Sequence, residues 1–469
     1  MNRRQLLGSG VAAAVSSAIA RSPMCHAQSS KGHAAEEPGP RIAEVPGVSS
    51  LRINVRDHGA TGDGITLDTA KLQEAIDRCN ILGGGDVVLP AGRYLTGSLS
   101  LRSNVSLRLE KGAILLGSAD LADYRVGQVR WEGKWIPGYL GLVHAIDASN
   151  IVIAGEGHIE GNVAVAGRPS KDNPLRRPAL IEPIGCDGVH LEGFSTQYAH
   201  MWSIHPTFCE NVAIRNLTVR STETNGDGID IDSCRHVLID GCDIATGDDC
   251  ISLKSGRGEE AHRLNRPTEN VRITNCTFEG RGYSCIGIGS EASAGIRDVV
   301  VEHCKVRSVY KNAFYIKSRI GRGSYIENLT FRDIDAANMR MGFLRIDQVS
   351  AGIQDEYPVP GIDGVPLFRN FRFQDIRVQD APVLVEATEI YAGKKLDGLW
   401  LENISGTSGK GVFIANATNV KLKEISITGI TGPLVSISNV SGQGLQDAAK
   451  IDPPKETALV PGPSSYILR

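Results

Sequence analysis

The chain has 469 residues, of which 41% are hydrophobic and 5% aromatic, with a formal net charge of −3. Enough apolar side chains are present for a large core, which excludes global disorder. Beyond the first 27 residues the balance is 47 basic against 53 acidic groups, which argues against a nucleic-acid partner. The 53 glycines, roughly 11% against ~7% in ordinary domains, point to many tight turns around a core of small aliphatic side chains.

Arg3-Arg4-Gln5-Leu6-Leu7 leads into an Ala-rich apolar run ending near Cys25-His26-Ala27. This pattern predicts a twin-arginine signal peptide over 1–27, followed by a linker over 28–50 and export to the periplasm or beyond. No later apolar run is long enough to span a membrane, so none is expected after signal removal. Nine cysteines follow the signal, an odd number that leaves at least one free thiol in a monomer. With no CxxC pair, no zinc site is expected.

Past a loop-rich stretch over Asn54–Gly64, Asp68 is placed to cap a helix. Leu72, Ala75, Ile76 and Cys79 lie at helical spacing along it, as in a helix that plugs one end of a sheet structure. Gly83-Gly84-Gly85 ends the helix, and Val87-Val88-Leu89 begins a strand.

A repeat then sets the architecture. Apolar residues begin units at Val189, Val212, Val237, Val271, Val299, Leu329, Phe371, Leu399 and Val420, with further apolar positions two, five and seven residues on. Steps of two are strand periodicity; the step of three marks a turn between two short strands. The starts are 21 to 42 residues apart, the signature of one solenoid whose coils carry loops of different length. The predicted fold is all-β: a right-handed parallel β-helix of about ten coils over 51–443, with a short N-terminal capping helix and a tail over 444–469 along the surface. Cys242, Cys276 and Cys304 share one ladder position with Phe, Leu and Ile, which favours packing over disulfides.

The chemistry concentrates in two segments one coil apart, Asn225-Gly226-Asp227-Gly228 and Thr246-Gly247-Asp248-Asp249. Aligning Ile229 with Ile251 sets Asp227 over Asp249 and brings three carboxylates together. Like charges at that range raise at least one pKa, and a protonated carboxyl beside an ionised one is what glycosidic hydrolysis needs. A calcium site is a rival reading of the same acids, although the loop lacks a clean binding pattern.

These segments, with Asp57-His58-Gly59-Ala60, Trp202-Ser203-Ile204-His205-Pro206 and Ile288-Gly289-Ser290-Glu291, resemble the signatures of glycoside hydrolase family 28, the polygalacturonase-type enzymes. The resemblance implies a β-helix that cleaves α-linked pectic poly- or oligosaccharides with inversion, without metal or other cofactor. It implies Asp248 as general acid, with Asp227 and Asp249 positioning and deprotonating water. Two positions depart from the family pattern: Tyr283 stands for its histidine and Tyr315 for its arginine, while Lys317 is kept. Arginine grips a carboxylate bidentately and tyrosine does not, so the departure points toward rhamnogalacturonan or a substituted galacturonan as much as plain polygalacturonate.

One coil later, Arg345 sits in the local pattern of Tyr315 and is a candidate to supply the lost charge. Asn225 is placed to fix Asp227 or to shape the turn. His200, His205 and Tyr391 are weaker candidates for the cleft. Trp131, Trp135 and Tyr139, in an insertion, would either stack on sugars or pack that loop. A monomer is expected. A calcium-dependent pectate-type lyase and a noncatalytic carbohydrate-binding β-helix are the alternative readings.

Overall fold

The computed structural model describes residues 51–461, Thr224 excepted, so the expected signal peptide, the linker up to residue 50 and the last eight residues lie outside the described residues. Within it, short strands repeat along the chain and pair in parallel with their counterparts one coil on, forming a 27-stranded parallel sheet system. The expected register is the observed one: Val189 pairs with Val212, Val212 with Val237, Val237 with Val271, Val271 with Val299, Val299 with Leu329, Leu329 with Phe371 and Phe371 with Leu399. The fold is a right-handed parallel β-helix.

The ladder of inward residues begins well before the first repeat start. One column runs through Ile53, Val87, Leu107, Ile153, Leu191, Ile214, Ile239, Ile273, Val301, Phe331, Phe373 and Leu401. All are buried, and their stacking excludes water from a continuous interior. The solenoid is thus longer than ten coils and starts at Arg52–Asn54. At its other end Ala449–Lys450 pairs with Ser436 and Ile437, adding a rung beyond Gln443 before the tail runs on. Aliphatic residues and cysteines fill most of the interior. Its C-terminal half adds an aromatic cluster, in which Phe331 and Phe373 stack at 4.6 Å and Phe314 lies 4.8 Å from Phe331.

All nine cysteines among the described residues are buried and unbridged. The expected column of Cys242, Cys276 and Cys304 has a companion in Cys186, Cys209 and Cys234, where the Cys209 backbone N–H meets Cys234 Sγ at 3.3 Å. Free thiols here serve as small hydrophobes whose S–H can reach a neighbouring carbonyl.

The step of three in each repeat has a backbone cause. The intervening residue, from Asn216 through Asn275, Asp333 and Asp375 to Asn403, has φ between 50° and 55°. Only Gly, Asn and Asp adopt this left-handed conformation at low cost, so the chain can bend sharply there. Asn and Asp occupy most of these corners and share the turning role first assigned to glycine. Their side chains also bond between coils: Asn275 donates to Asp240 at 2.8 Å, and Asn403 to Asp375 at 2.6 Å.

The capping helix is Thr69–Ile81, and it buries Leu72, Ala75, Ile76 and Cys79 against the end of the core. Asp68 stands at its N-cap position but makes no capping bond. Its carboxylate instead accepts from Thr61 N at 2.8 Å and Gly62 N at 2.9 Å, tying down the preceding loop. No helix among the described residues is long and apolar enough to cross a membrane.

Candidate active site

One face of the solenoid is a stack of short parallel strands: Ile229–Asp232, Ile251–Lys254, Ile286–Ile288, Asn312–Lys317 and Gly342–Asp347. Alternation fixes which side chains face outward. In register, that row reads Asp230, Ser252, Gly287, Tyr315, Arg345 and Glu386.

The three aspartates predicted to meet do so at the head of two of these strands. Ile229 pairs with Ile251, and the Gly228 N–H donates to Asp249 O at 3.0 Å, which sets Asp227 one coil from Asp249. Asp227, Asp248 and Asp249 each offer a carboxylate oxygen within 4.8 Å of the others. Asp227 and Asp249 are buried, while Asp248 is half-exposed. Three donors converge on Asp249: Lys317 Nζ at 2.9 Å, Ser252 Oγ at 3.2 Å and the Ser284 backbone N–H at 3.0 Å. Asp248 accepts the Asp249 N–H at 2.9 Å through Oδ1 alone. Asp227 Oδ1 is buried without a hydrogen-bond partner among the described residues.

Lys317 reaches Asp249 across an intervening coil, and Gly287 makes that reach possible. A Cβ at Gly287 would lie 2.5 Å from Asp249 Oδ2 and 3.2 Å from Lys317 Nζ. The pair occupies the space that any side chain in this row would take.

Burial and crowding displace the protonation equilibria. Burial, then the charges of Asp230 and Asp248, hold Asp227 well above the usual carboxylate range. Burial and the Asp249 charge raise Asp248, against the pull of Lys317. Both effects favour the protonated acid.

Asp230 was absent from the expected site, although it stands in the same acidic segment, and it is fully buried on the floor of the row. Burial pushes it up to about 8, against the pull of Lys254 3.3 Å away. Burial works against the charge of Lys254, but Glu291, Asp230 and Asp227 raise it above its ordinary value. For Glu291, burial is outweighed by Lys254 and Arg322, which hold it at about 2. Lys254 also lies 4.8 Å from the centroid of the Trp202 ring.

The other expected residues fall into place around this centre. Asn225 adopts a left-handed turn conformation, φ 57°, and its Oδ1 accepts from Arg168. Tyr283 and Tyr315 stack on each other with centroids 6.3 Å apart. Arg345 is the register neighbour of Tyr315, lies 5.6 Å from its ring and pairs with Glu386 at 3.5 Å. The relocated charge is therefore present but largely answered by an acid of the next coil.

His200 and His205 are fully buried. His200 accepts the Asn162 N–H at 2.7 Å, and burial lowers it to about 4. His205 lies 3.7 Å from Glu182, which is bound to the buried Arg176. Trp131 stacks on Trp202 at 5.2 Å and Trp135 packs on Phe208 at 5.8 Å, with Arg130 over the rings of Trp135 and Phe208. The insertion is the hairpin of Val126–Trp131 and Lys134–Tyr139, packed on the solenoid by these aromatics. Tyr391 packs on Ile320, Val349 and Val365 together with Leu459 and Val460 of the tail.

Chemically, the centre offers one accessible carboxyl biased toward its acid form and a second carboxylate held by an ammonium. The same three acids could supply oxygens to a divalent cation, but Lys317 already provides positive charge beside Asp249.

The family model described as glycosyl hydrolases family 28 matches residues 79–423. The chain belongs to glycosyl hydrolases family 28. It is therefore a polygalacturonase-like glycoside hydrolase. Among its relatives, a "Probable polygalacturonase" of Vitis vinifera is 27% identical, over 88% of this chain and 83% of that protein. An "Exo-poly-alpha-D-galacturonosidase" of Dickeya chrysanthemi is 27% identical, over 81% and 68%. The solved family 28 exopolygalacturonase of Yersinia enterocolitica superposes with a TM-score of 0.75 at 25% identity, covering 84% of this chain and 78% of that one. Membership in this hydrolase family sets aside the lyase and noncatalytic readings.

Proposed function

We propose that the protein hydrolyses α-glycosidic bonds in pectic chains by a direct, inverting displacement, and that rhamnogalacturonan or a substituted galacturonan is among its substrates. The observation that carries this reading is the grouping of Asp227, Asp248 and Asp249 on adjacent coils, with Lys317 locked onto Asp249. Asp248 is the general acid: it is half-exposed, its pKa is raised, and only Oδ1 is engaged by the backbone. Its proton passes to the glycosidic oxygen as the bond from that oxygen to the anomeric carbon breaks. Water, held between Asp227 and Asp249, forms the new bond to the anomeric carbon, and its proton passes to this pair. Two oxygens within 4.8 Å of each other can both hydrogen-bond one water molecule at ordinary distances.

A second reading is favoured by the close spacing of Asp248 and its two neighbours, each with an oxygen within 4.8 Å of the others. Retaining glycosidases place their carboxyls roughly 5–5.5 Å apart and inverting ones about 6.5–9.5 Å apart. Against a covalent route, Asp249 is tied by three donors, and burial holds Asp227 toward its neutral form. Substrate preference follows from Tyr283 and Tyr315, which bring phenol hydroxyls where the family pattern has the charged groups of His and Arg. The relatives' names support galacturonan chemistry, and the N-terminal sequence supports export, periplasmic or secreted.

The test is incubation with defined oligosaccharides of polygalacturonate, rhamnogalacturonan and substituted galacturonan, with product identification. Saturated fragments from at least one of the latter two support the proposal. Cleavage of plain polygalacturonate alone would overturn the preference, and no cleavage of any would overturn the function.

A further inference from the structure

The turns that precede successive strands of the groove form one lip. The Arg281 N–H donates to Thr246 O at 2.8 Å, the Lys311 N–H to Tyr283 O at 3.1 Å and the Met341 N–H to Lys311 O at 3.1 Å, so Tyr283 and Lys311 follow Asp248 coil by coil. Lys311 Nζ lies 3.6 Å from the centroid of the Tyr283 ring, and Lys317 Nζ lies 4.5 Å from it. The two ammonium groups differ in their partners. Lys317 is neutralised by Asp249 at 2.9 Å, whereas Lys311 forms no ion pair with any carboxylate among the described residues.

Tyr283 stacks on Tyr315, which Arg345 caps, giving a cation–ring–ring–cation column across the groove. Glu386 answers the Arg345 end at 3.5 Å. Lys311 is thus the end of the column with uncompensated charge. It is half-buried, where an ion pair is stronger than at a fully hydrated surface. An ammonium offers three donors and no acceptor, which suits an anion better than a neutral hydroxyl. The adjacent residue Ser284 donates to Asp249, so this end of the column borders the reacting centre.

We propose that Lys311 binds the carboxylate of a uronate unit next to the scissile bond, with the phenol of Tyr283 beside it. The inference rests on the groove being the pectic site argued above, and it moves anion recognition from Arg345 to a residue that sequence reasoning did not single out.

The experiment compares wild type, Lys311→Met and Lys311→Arg on trigalacturonate and on its methyl ester, which carries no carboxylate charge. Loss of a charge-assisted contact predicts that Lys311→Met raises KM for the acid about tenfold or more, with a far smaller effect on the ester. Lys311→Arg should restore most of the loss. Equal effects on acid and ester, or none on either, would overturn the proposal. If the wild type cleaves neither, the hydrolase reading of these sugars fails separately. Calorimetric Kd for trigalacturonate in Asp248→Asn, with and without Lys311→Met, then reads the anion site alone. Weakening there supports the site, and an unchanged Kd overturns it.

Discussion

Two adjoining stretches of the same groove, built on parallel strands in register, carry opposite electrostatics. At one, Asp227, Asp230, Asp248 and Asp249 crowd together, and burial holds several of them toward the protonated form. At the other, Tyr283 and Tyr315 stack between the cations of Lys311 and Arg345. The acidic stretch holds the residues proposed above for hydrolysis, and the aromatic stretch holds the two tyrosines that set the proposed preference. A solenoid permits this division, because each coil contributes its outward residues independently while the inward ladder stays apolar. Lys317 joins the two stretches, bonded to Asp249 and set over both tyrosine rings.

Removing the acid should break the acidic stretch most completely. Asp248→Asn is expected to lower kcat by about 10²–10⁴-fold with the circular dichroism unchanged. Near-full activity would remove Asp248 from its role. Gly287→Ala tests the joint between the stretches. Its methyl group would intrude on the Lys317–Asp249 pair, with an expected loss of about 10²-fold in kcat from misplacement alone. A variant as active as wild type would show the pair to be dispensable.

A third test uses stability against pH. Asp230 has its folded pKa raised to about 8 from an ordinary 3.8, so the folded chain holds a proton that the unfolded chain releases. The resulting stabilisation is full below the ordinary value and is lost as pH rises through the raised one. Thermal melts of wild type should fall over this range relative to Asp230→Asn, whose curve should be flatter. Parallel curves would contradict the assignment. The smallest effect is expected at the far end of the column. Because Glu386 already answers its charge, Arg345→Ala should raise KM for acidic substrates by no more than about fivefold. A larger loss than that of Lys311→Met would reverse the proposed order of the two cations.

Register explains what could be read from sequence and what could not. The phase of Ile229 against Ile251 is a local pattern, and by itself it sets Asp227 over Asp249. The Lys317–Asp249 pair skips a coil, and only the stacking of Ser252, Gly287 and Tyr315 in one row reveals the gap it crosses. The Lys311–Tyr283 contact joins turns separated by two strands, Ile286–Ile288 and Ile296–Val309, so no short motif contains it. Trp131 and Trp135 left two readings open, since a ring that packs and a ring that binds sugar have the same composition; Trp202 and Phe208 occupy their faces. Asp68 had the spacing of a helix cap, but backbone N–H groups of the preceding loop compete for its carboxylate and win.

The central claim, acid catalysis by Asp248 with water delivered from the Asp227–Asp249 side, is tested most directly by following the anomeric proton signals during hydrolysis of an α-linked pectic oligosaccharide. The β-configured reducing end should appear first and equilibrate later. Initial appearance of the α form would contradict direct displacement and favour a covalent intermediate, and an unsaturated product absorbing in the ultraviolet would contradict hydrolysis itself.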